Sequence, residues 1–188
     1  YRSDVLGVIE PEKLPEWAKE GLAKAIEGLG PEALNDPVVK EISAYCSAAE
    51  LAPEGSRFID FEAVQPDGST KKLSDYAGKG KYCLVDFWAS WCGPCKREIP
   101  YIKAVYEKYS KKGLVVVSVA VWDKVEDTQK AAAELDIKWN QIINAGRVPT
   151  DLYGINGIPH IMLIGPDGTI VKRDLRGDEI AKTVAKYL

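Results

Sequence analysis

Residues 85–96 of this 188-residue chain, VDFWASWCGPCK, are the part of the sequence that most clearly indicates its architecture. This stretch begins within a nearly continuous apolar run, Tyr82 to Ala89, which is typical of a strand that is covered on both faces. The pair of cysteines follows at once, where the pattern changes from strand to helix. The stretch therefore predicts a buried strand that leads directly into a helix beginning at Cys92.

The placement of Cys92 predicts its chemistry. At the start of a helix, unpaired backbone N–H groups and the positive end of the helix dipole favour a thiolate over a thiol. Cys95 follows three residues later and lies on the same helical face, so it can attack a mixed disulfide formed on Cys92. We expect dithiol/disulfide exchange with no cofactor and no metal, only the redox-active Cys92–Cys95 disulfide.

The flanking sequence predicts a β-α-β unit within a larger α/β domain. A second apolar run, Leu114 to Val121, follows at a distance that allows a crossover helix. Alternation before the turn PDG at 66–68 predicts a hairpin upstream. Downstream the pattern predicts a helix near 125–135, a strand near 141–143, a hairpin about the PDG turn at 166–168, and a final amphipathic helix starting near Asp178.

The first part of the chain, residues 1–52, predicts a helical extension. Apolar residues recur at helical spacing from Pro15 and again from Asp36, which is suited to cap a helix followed by Pro37. The numbering starts at Tyr1, so we expect that a signal segment, a lipid anchor or an upstream domain precedes it.

Composition disfavours several classes of partner and site. The formal net charge is −3 and the lysines are spread among acids, so nucleic acid is not an expected partner. No apolar run approaches the roughly 20 residues of a membrane-spanning helix. Zinc needs four ligands, whereas only one histidine and two distant cysteines, Cys46 and Cys83, accompany the pair. We interpret both distant cysteines as small buried apolar residues, with intermolecular pairing as the alternative for Cys46.

The whole stretch closely resembles thioredoxin, and the resemblance extends from about Pro53 to Leu188. It implies a thioredoxin-like domain over residues 53–188: a central mixed β-sheet flanked by helices, with an N-terminal β-hairpin and an inserted helix-strand element. Asp86 matches the buried acid beneath the cysteines, which can take the proton from Cys95 through a water. Gly157-Ile158-Pro159 matches the loop whose proline is cis in this superfamily.

Within the superfamily, the segment CKREIP at 95–100 resembles bacterial envelope reductases of the TlpA/ResA type. The resemblance implies that Glu98 shares proton handling with Asp86. It also implies protein disulfide or dithiol substrates, an upstream electron donor such as a membrane thiol reductant, and a location in the bacterial periplasm or cell envelope, with the cytoplasm as the alternative.

Substrate binding is expected on the surface around the disulfide. The Ile158 backbone would pair with an extended substrate. His160 is close to the redox loop, where a cation could stabilise a thiolate or contact a substrate; the alternative is an ordinary residue at a strand edge. The expected substrate-binding residues are Trp91, Gly93, Pro94, Ile158, Pro159 and His160.

Two other functions are alternatives to that of a disulfide reductase. A peroxiredoxin-like thiol peroxidase would share the fold, but Val85 and Ala89 stand where its signature has proline and threonine. A non-enzymatic adaptor would leave an intact two-cysteine site without purpose. The sequence therefore favours a thiol:disulfide oxidoreductase.

Overall fold

A computed structural model describes residues 52–188 and, before them, Ala25, Leu29, Gly30, Ala33, Asp36 and Val39. The chain divides into two units, Tyr1–Leu51 and Ala52–Leu188. The two helices predicted for the helical extension, and the interpretation of Cys46, lie outside the described residues. Within the second unit, the α/β architecture expected from the sequence is present.

The second unit contains seven strands and four helices. The strands are β1 (Glu62–Val64), β2 (Thr70–Lys72), β3 (Cys83–Trp88), β4 (Val115–Ala120), β5 (Asn140–Ile142), β6 (His160–Ile164) and β7 (Ile170–Lys172). The helices are α1 (Gly93–Tyr109), α2 (Val125–Glu134), α3 (Val148–Tyr153) and α4 (Asp178–Val184). Short 3-10 turns cover Leu73–Asp75 and Ser110–Lys112.

The central sheet has the strand order β5-β4-β3-β6-β7, with β3 in the middle. All six residues of β3 are buried, as its nearly continuous apolar sequence predicts. Strand β4 runs parallel to β3 and β6 runs antiparallel, so Asp86 is flanked by Ser118 and Ile161. The β3-α1-β4 crossover and the β6-β7 hairpin both confirm the sequence prediction.

Alternate residues of β3 face opposite sides of the sheet. Val85 and Phe87 pack into a core with Phe61, Leu73 and Tyr153. Leu84 packs into a second core, which α1 and α4 cover with Ile99, Ile102, Ile180 and Val184. Asp86 lies two residues after Leu84 and therefore faces the side of α1, whose N-terminus carries the cysteines.

The N-terminal hairpin and the inserted helix-strand element are both present, as the sequence predicts. A short third helix was not predicted. Strands β1 and β2 pair antiparallel across the predicted turn as a separate two-stranded sheet. The inserted α2 and β5 follow β4, and β5 pairs parallel with it at the sheet edge. Helix α3 was not predicted, because six residues that include Pro149 show no helical repeat. In the part of the chain that is described, no helix is long and apolar enough to cross a membrane.

Candidate active site

The two cysteines form a disulfide at the start of α1. Their sulfur atoms are 2.06 Å apart and their Cα atoms 5.3 Å apart. Cys92 is the N-cap of the helix, and its Sγ accepts a hydrogen bond from the Cys95 backbone N–H at 3.1 Å. The same N–H would stabilise a thiolate on Cys92 once the disulfide is reduced, because a helix N-terminus favours negative charge.

The disulfide lies just below the protein surface. Cys92 retains 3% exposure and Cys95 only 1%, whereas the neighbouring Trp91 is 61% exposed. Gly93 and Pro94 are also exposed. The indole Nε1 of Trp91 donates to the Trp122 carbonyl oxygen at 2.9 Å, which fixes the ring beside the disulfide. An incoming thiol or disulfide therefore meets Cys92 before Cys95.

The loop before β6 lies against the disulfide. The Ile158–Pro159 peptide bond is cis, and the Ile158 carbonyl oxygen is 3.7 Å from Cys92 Sγ. The Arg176 guanidinium donates a hydrogen bond to the Pro159 carbonyl oxygen and forms a 2.7 Å ion pair with Asp174. The Ile158 carbonyl therefore lies next to the reactive sulfur, and Arg176 holds the backbone that follows it.

Asp86 is a buried carboxyl group on the same side of the sheet as α1. It is 1% exposed, and its Oδ2 accepts a 3.0 Å hydrogen bond from the Ser118 hydroxyl. Burial raises the pKa of Asp86 to about 7, against the Ser118 hydrogen bond, which lowers it. The negative charge of Glu98 raises this pKa and the positive charge of Arg176 lowers it. Asp86 can therefore exchange a proton near neutral pH.

Glu98 is half-buried on α1, three residues after Cys95. Its Oε2 accepts a 2.7 Å hydrogen bond from the Gly177 backbone N–H, at the N-cap of α4. This carboxylate therefore joins two helices and also acts on Asp86 through its charge. The structure brings Asp86 and Glu98 into electrostatic contact and gives them different partners.

Of the two interpretations of His160, the structure favours an ordinary residue of a strand over a cation beside the redox loop. Burial is the main cause that lowers the pKa of His160 to about 4, with the charges of Arg173 and Arg176 acting in the same direction against Asp174. The ring lies opposite Phe87 in the sheet register, and Arg173 Nε donates to its Nε2 at 3.3 Å. His160 is thus neutral and on the sheet face opposite α1, because alternation along β6 places it there.

The third cysteine of the described unit is structural in character. Cys83 is free and buried, and burial raises the pKa of its thiol to about 12. It is a poor nucleophile at neutral pH and packs as a small apolar residue. Among the described residues, no group of three histidine, cysteine or acidic side chains could hold a metal ion.

Three residues near the site were missed by sequence reasoning. Ser118 is the only polar residue within the apolar run that forms β4, and such an interruption of a buried strand is a usable signal. Trp139 donates to the Ser118 hydroxyl, and Arg176 to the loop of Pro159. Neither contact has a signal in local sequence, because both depend on how distant segments meet.

Comparison with protein families adds a match over most of the second unit. Residues 55–173 match the AhpC/TSA family. The thiol-disulfide oxidoreductase ResA of Geobacillus thermodenitrificans is 30% identical over 134 residues, which are 71% of this chain and 75% of that protein. The ResA of Bacillus subtilis is 29% identical over 130 residues, covering 69% of this chain and 72% of that protein.

Solved structures with the same fold carry similar names. The thioredoxin domain of a thiol-disulfide oxidoreductase from Bacteroides vulgatus is 36% identical, with a TM-score of 0.66, and the match covers 72% of this chain and 97% of that one. A thiol:disulfide interchange protein from a Bacteroides species is 35% identical, with a TM-score of 0.65, and covers 73% of this chain and 91% of that one. All four proteins are named for exchange between thiols and disulfides.

Proposed function

Because this chain belongs to the AhpC/TSA family, as a TlpA/ResA-like thiol:disulfide oxidoreductase of the thioredoxin superfamily, we propose that it reduces protein disulfides through Cys92. The observation that carries the proposal is the Cys92–Cys95 disulfide at the start of α1, with the Ile158 carbonyl beside it. The direction of electron flow and the roles of the surrounding residues are the parts that we infer.

The first step is attack by the Cys92 thiolate on a substrate disulfide. A bond forms between Cys92 Sγ and one substrate sulfur, the substrate S–S bond breaks, and the second substrate sulfur leaves as a thiolate. The N-terminus of α1 stabilises the attacking anion through the Cys95 N–H that already contacts Cys92 Sγ. Cys92 is the better placed nucleophile, since its sulfur is at the N-cap of α1 and accepts the Cys95 backbone N–H.

The second step releases the substrate. Cys95 loses its proton, attacks Cys92 Sγ and forms the Cys92–Cys95 disulfide, while the remaining substrate sulfur leaves as a thiolate. Two electrons thus pass from the enzyme dithiol to the substrate disulfide. We assign the acceptance of the Cys95 proton to the Asp86 carboxylate, supported by its burial and by its pKa of about 7.

Glu98 acts on this step indirectly in our proposal. Its charge opposes ionisation of Asp86, and its hydrogen bond to Gly177 fixes α1 relative to α4. We therefore assign proton transfer to Asp86 and treat Glu98 as a residue that adjusts how readily Asp86 holds a proton.

An extended segment of the substrate is proposed to lie across the exposed surface beside the disulfide. Trp91, Gly93 and Pro94 flank Cys92 in sequence and are exposed, and the carbonyl of Ile158, in the loop before β6, lies against its sulfur. Backbone groups of such a loop can pair with a substrate strand without reading its side chains, which suits a reductase of several proteins.

We further infer that the protein works in the bacterial periplasm or cell envelope and is re-reduced there by a membrane thiol reductant. The resemblance to envelope reductases supports this, as does a 29% identical structure named as a putative thiol:disulfide interchange protein DsbE, from Chlorobium tepidum. Cell fractionation and rapid alkylation would test it: an envelope protein with reduced Cys92 is expected, and a cytoplasmic protein would contradict it.

Insulin reduction tests the proposed function. Wild-type protein with dithiothreitol should accelerate insulin precipitation, and both Cys92→Ser and Cys95→Ser should lose multiple turnover. Cys95→Ser alone should accumulate a mixed disulfide with insulin on Cys92. Cys83→Ser is the matched control, because Cys83 is buried on β3 and should leave turnover intact. Activity that survives loss of Cys92 would overturn the proposal and favour the adaptor hypothesis.

A further inference from the structure

A chain of three buried polar groups runs across β3, β4 and the residue before β5, on the side of the sheet that α1 covers. The indole Nε1 of Trp139 lies 2.8 Å from the Ser118 hydroxyl oxygen, which lies 3.0 Å from Asp86 Oδ2. All three side chains are buried, and Ser118 faces Asp86 directly in the parallel register of β3 and β4. No other polar contact of Ser118 or Trp139 competes with this chain among the hydrogen bonds of the described residues.

The direction of each hydrogen bond follows from the chemistry of the groups. An indole N–H can only donate, so Trp139 must donate to the Ser118 oxygen. A hydroxyl group has one hydrogen, and with its oxygen occupied by Trp139 that hydrogen remains for Asp86. Trp139 therefore orients Ser118 as a donor, and a donor stabilises the ionised form of the carboxyl group that accepts it.

Trp139 comes from the segment that is inserted between β4 and β6. It directly precedes β5, and its ring packs against Tyr106 of α1 with the ring centres 5.6 Å apart. Packing between α1 and the sheet leaves the ring little freedom, since it is 5% exposed. The inserted segment thus supplies Trp139 Nε1, which is linked to the Asp86 carboxyl group on β3 through two successive hydrogen bonds.

We propose that Ser118 and Trp139 are positioning residues that keep the buried Asp86 carboxylate ready to accept the proton from Cys95. The proposal rests on the role of Asp86 in the proposed function. Burial favours the protonated acid, which cannot accept a proton, and the hydrogen bond from Ser118 opposes this. Without the hydrogen bond from Ser118, Asp86 would be ionised, and so able to accept a proton, in a smaller fraction of the protein at neutral pH.

Other charged groups also act on Asp86 and must be held constant in a test. Glu98 approaches from α1 and Arg176 from the segment before α4, with opposite effects on the Asp86 pKa. Ile161, its neighbour on β6, is apolar, and the cysteines do not titrate while they are joined. The oxidised protein therefore isolates the titration of Asp86.

The test is carbon NMR of the Asp86 carboxyl group as a function of pH, in the full, oxidised protein. Ser118→Ala should raise the titration midpoint by about one to two pH units, because it removes a hydrogen bond to the charged form. Trp139→Phe should raise it by less, since the hydroxyl remains but is no longer oriented. Ser118→Thr, which keeps a hydroxyl, should restore the wild-type midpoint.

The double variant separates action through Ser118 from a direct effect. If Trp139 acts through the hydroxyl, Ser118→Ala combined with Trp139→Phe should match Ser118→Ala alone. Val117→Ala is the control for general damage to β4, because this neighbour packs on the opposite face and should lower stability without moving the midpoint.

Two results would overturn the proposal: an unchanged midpoint in Ser118→Ala, or a shift on Trp139→Phe that persists in the absence of the hydroxyl. Neither depends on turnover. Failure of the proposed function would appear instead as insulin reduction that is indifferent to Cys92, with the Asp86 midpoints still moving as described.

Discussion

The Glu98 carboxylate and the Gly177 backbone N–H are joined by a 2.7 Å hydrogen bond, which ties α1 to the start of α4. Gly177 is the N-cap of α4 and has a φ of 50°, a conformation that favours glycine. The same carboxylate raises the pKa of Asp86 through its charge. One side chain therefore has a structural contact and an electrostatic effect, and the two can be separated by substitution.

We predict that Glu98→Gln lowers the titration midpoint of Asp86 by roughly half a pH unit to one unit. The amide oxygen can still accept from Gly177, so the helix contact is kept while the negative charge is lost. Carbon NMR of Asp86 in the oxidised protein measures the shift. Glu107→Gln is the matched control, an exposed acid on the same helix, and should leave the midpoint in place. An unchanged or higher midpoint in Glu98→Gln would be inconsistent with this electrostatic effect.

Asp86→Asn should stabilise the oxidised protein at alkaline pH. The pKa of Asp86 is raised from 3.8 to about 7 on folding, so the folded protein retains a proton that the unfolded chain has lost between these values. Stability of the wild type therefore falls as the pH rises from about 4 to about 7. The asparagine variant escapes this loss and should gain up to about 4 kcal/mol at pH 8, with little gain at pH 4.

Urea unfolding of the oxidised protein at the two pH values measures this difference. Asp127→Asn, an exposed carboxylate on α2, serves as the comparison and should change stability little at either pH. A gain for Asp86→Asn that is equal at both pH values would mean that Asp86 does not ionise as its burial implies.

Arg176→Met should weaken the use of protein substrates more than that of small disulfides. The guanidinium holds the Pro159 carbonyl oxygen, so its loss frees the loop on which an extended substrate would lie. We expect KM for insulin to rise about threefold to tenfold, with a small change in the rate for an aromatic disulfide reagent. Steady-state kinetics with both substrates make the comparison.

Two further variants serve as comparisons for Arg176→Met. Arg176→Lys keeps the positive charge that lowers the pKa of Asp86 but loses the paired donors of the guanidinium, so it separates charge from loop contact. Lys172→Met removes a cation whose ion pair, within residues 52–188, is with Glu54, and it should leave both substrates unaffected. Equal losses for large and small substrates in Arg176→Met would argue against a role in holding the substrate loop.

A peroxidase activity is not expected. The positions of the peroxidase signature hold Val85 and Ala89, and the partner of Cys92 is Cys95 on the same helix. Cys95→Ser, which leaves Cys92 unpaired, should therefore consume hydrogen peroxide no faster than the double variant Cys92→Ser/Cys95→Ser. Thiol-dependent peroxide turnover by Cys95→Ser would instead support the thiol peroxidase hypothesis.

The core of the fold was predictable because its signals are local. The apolar runs that become β3 and β4 leave no alternative to buried strands, and the PDG turns at 66–68 and 166–168 mark both hairpins. Helix α3 was missed, because its six residues include a proline in the first turn and are too few to show apolar residues at helical spacing.

The site was only partly predictable, because much of it depends on which distant residues meet. Asp86 stood out as a carboxyl group in a buried strand, whereas its contact with Ser118 requires the register of β3 and β4. For His160, nearness to Pro159 in sequence left both a cation and an ordinary strand residue open. Alternation along β6 places its ring with Phe87 and Arg173, and burial there keeps it neutral.

The reduction potential of the Cys92–Cys95 couple determines whether the protein reduces disulfides or oxidises thiols. Equilibration with glutathione buffers, followed by alkylation and mass measurement, gives the fraction of disulfide at each potential. The Gly-Pro pair between the cysteines is that of thioredoxin, so we predict a value near −270 mV, which would make the protein a reductant of disulfides whose own potentials are more positive. A potential more positive than about −180 mV would contradict the account, because the couple would then oxidise thiols rather than reduce disulfides.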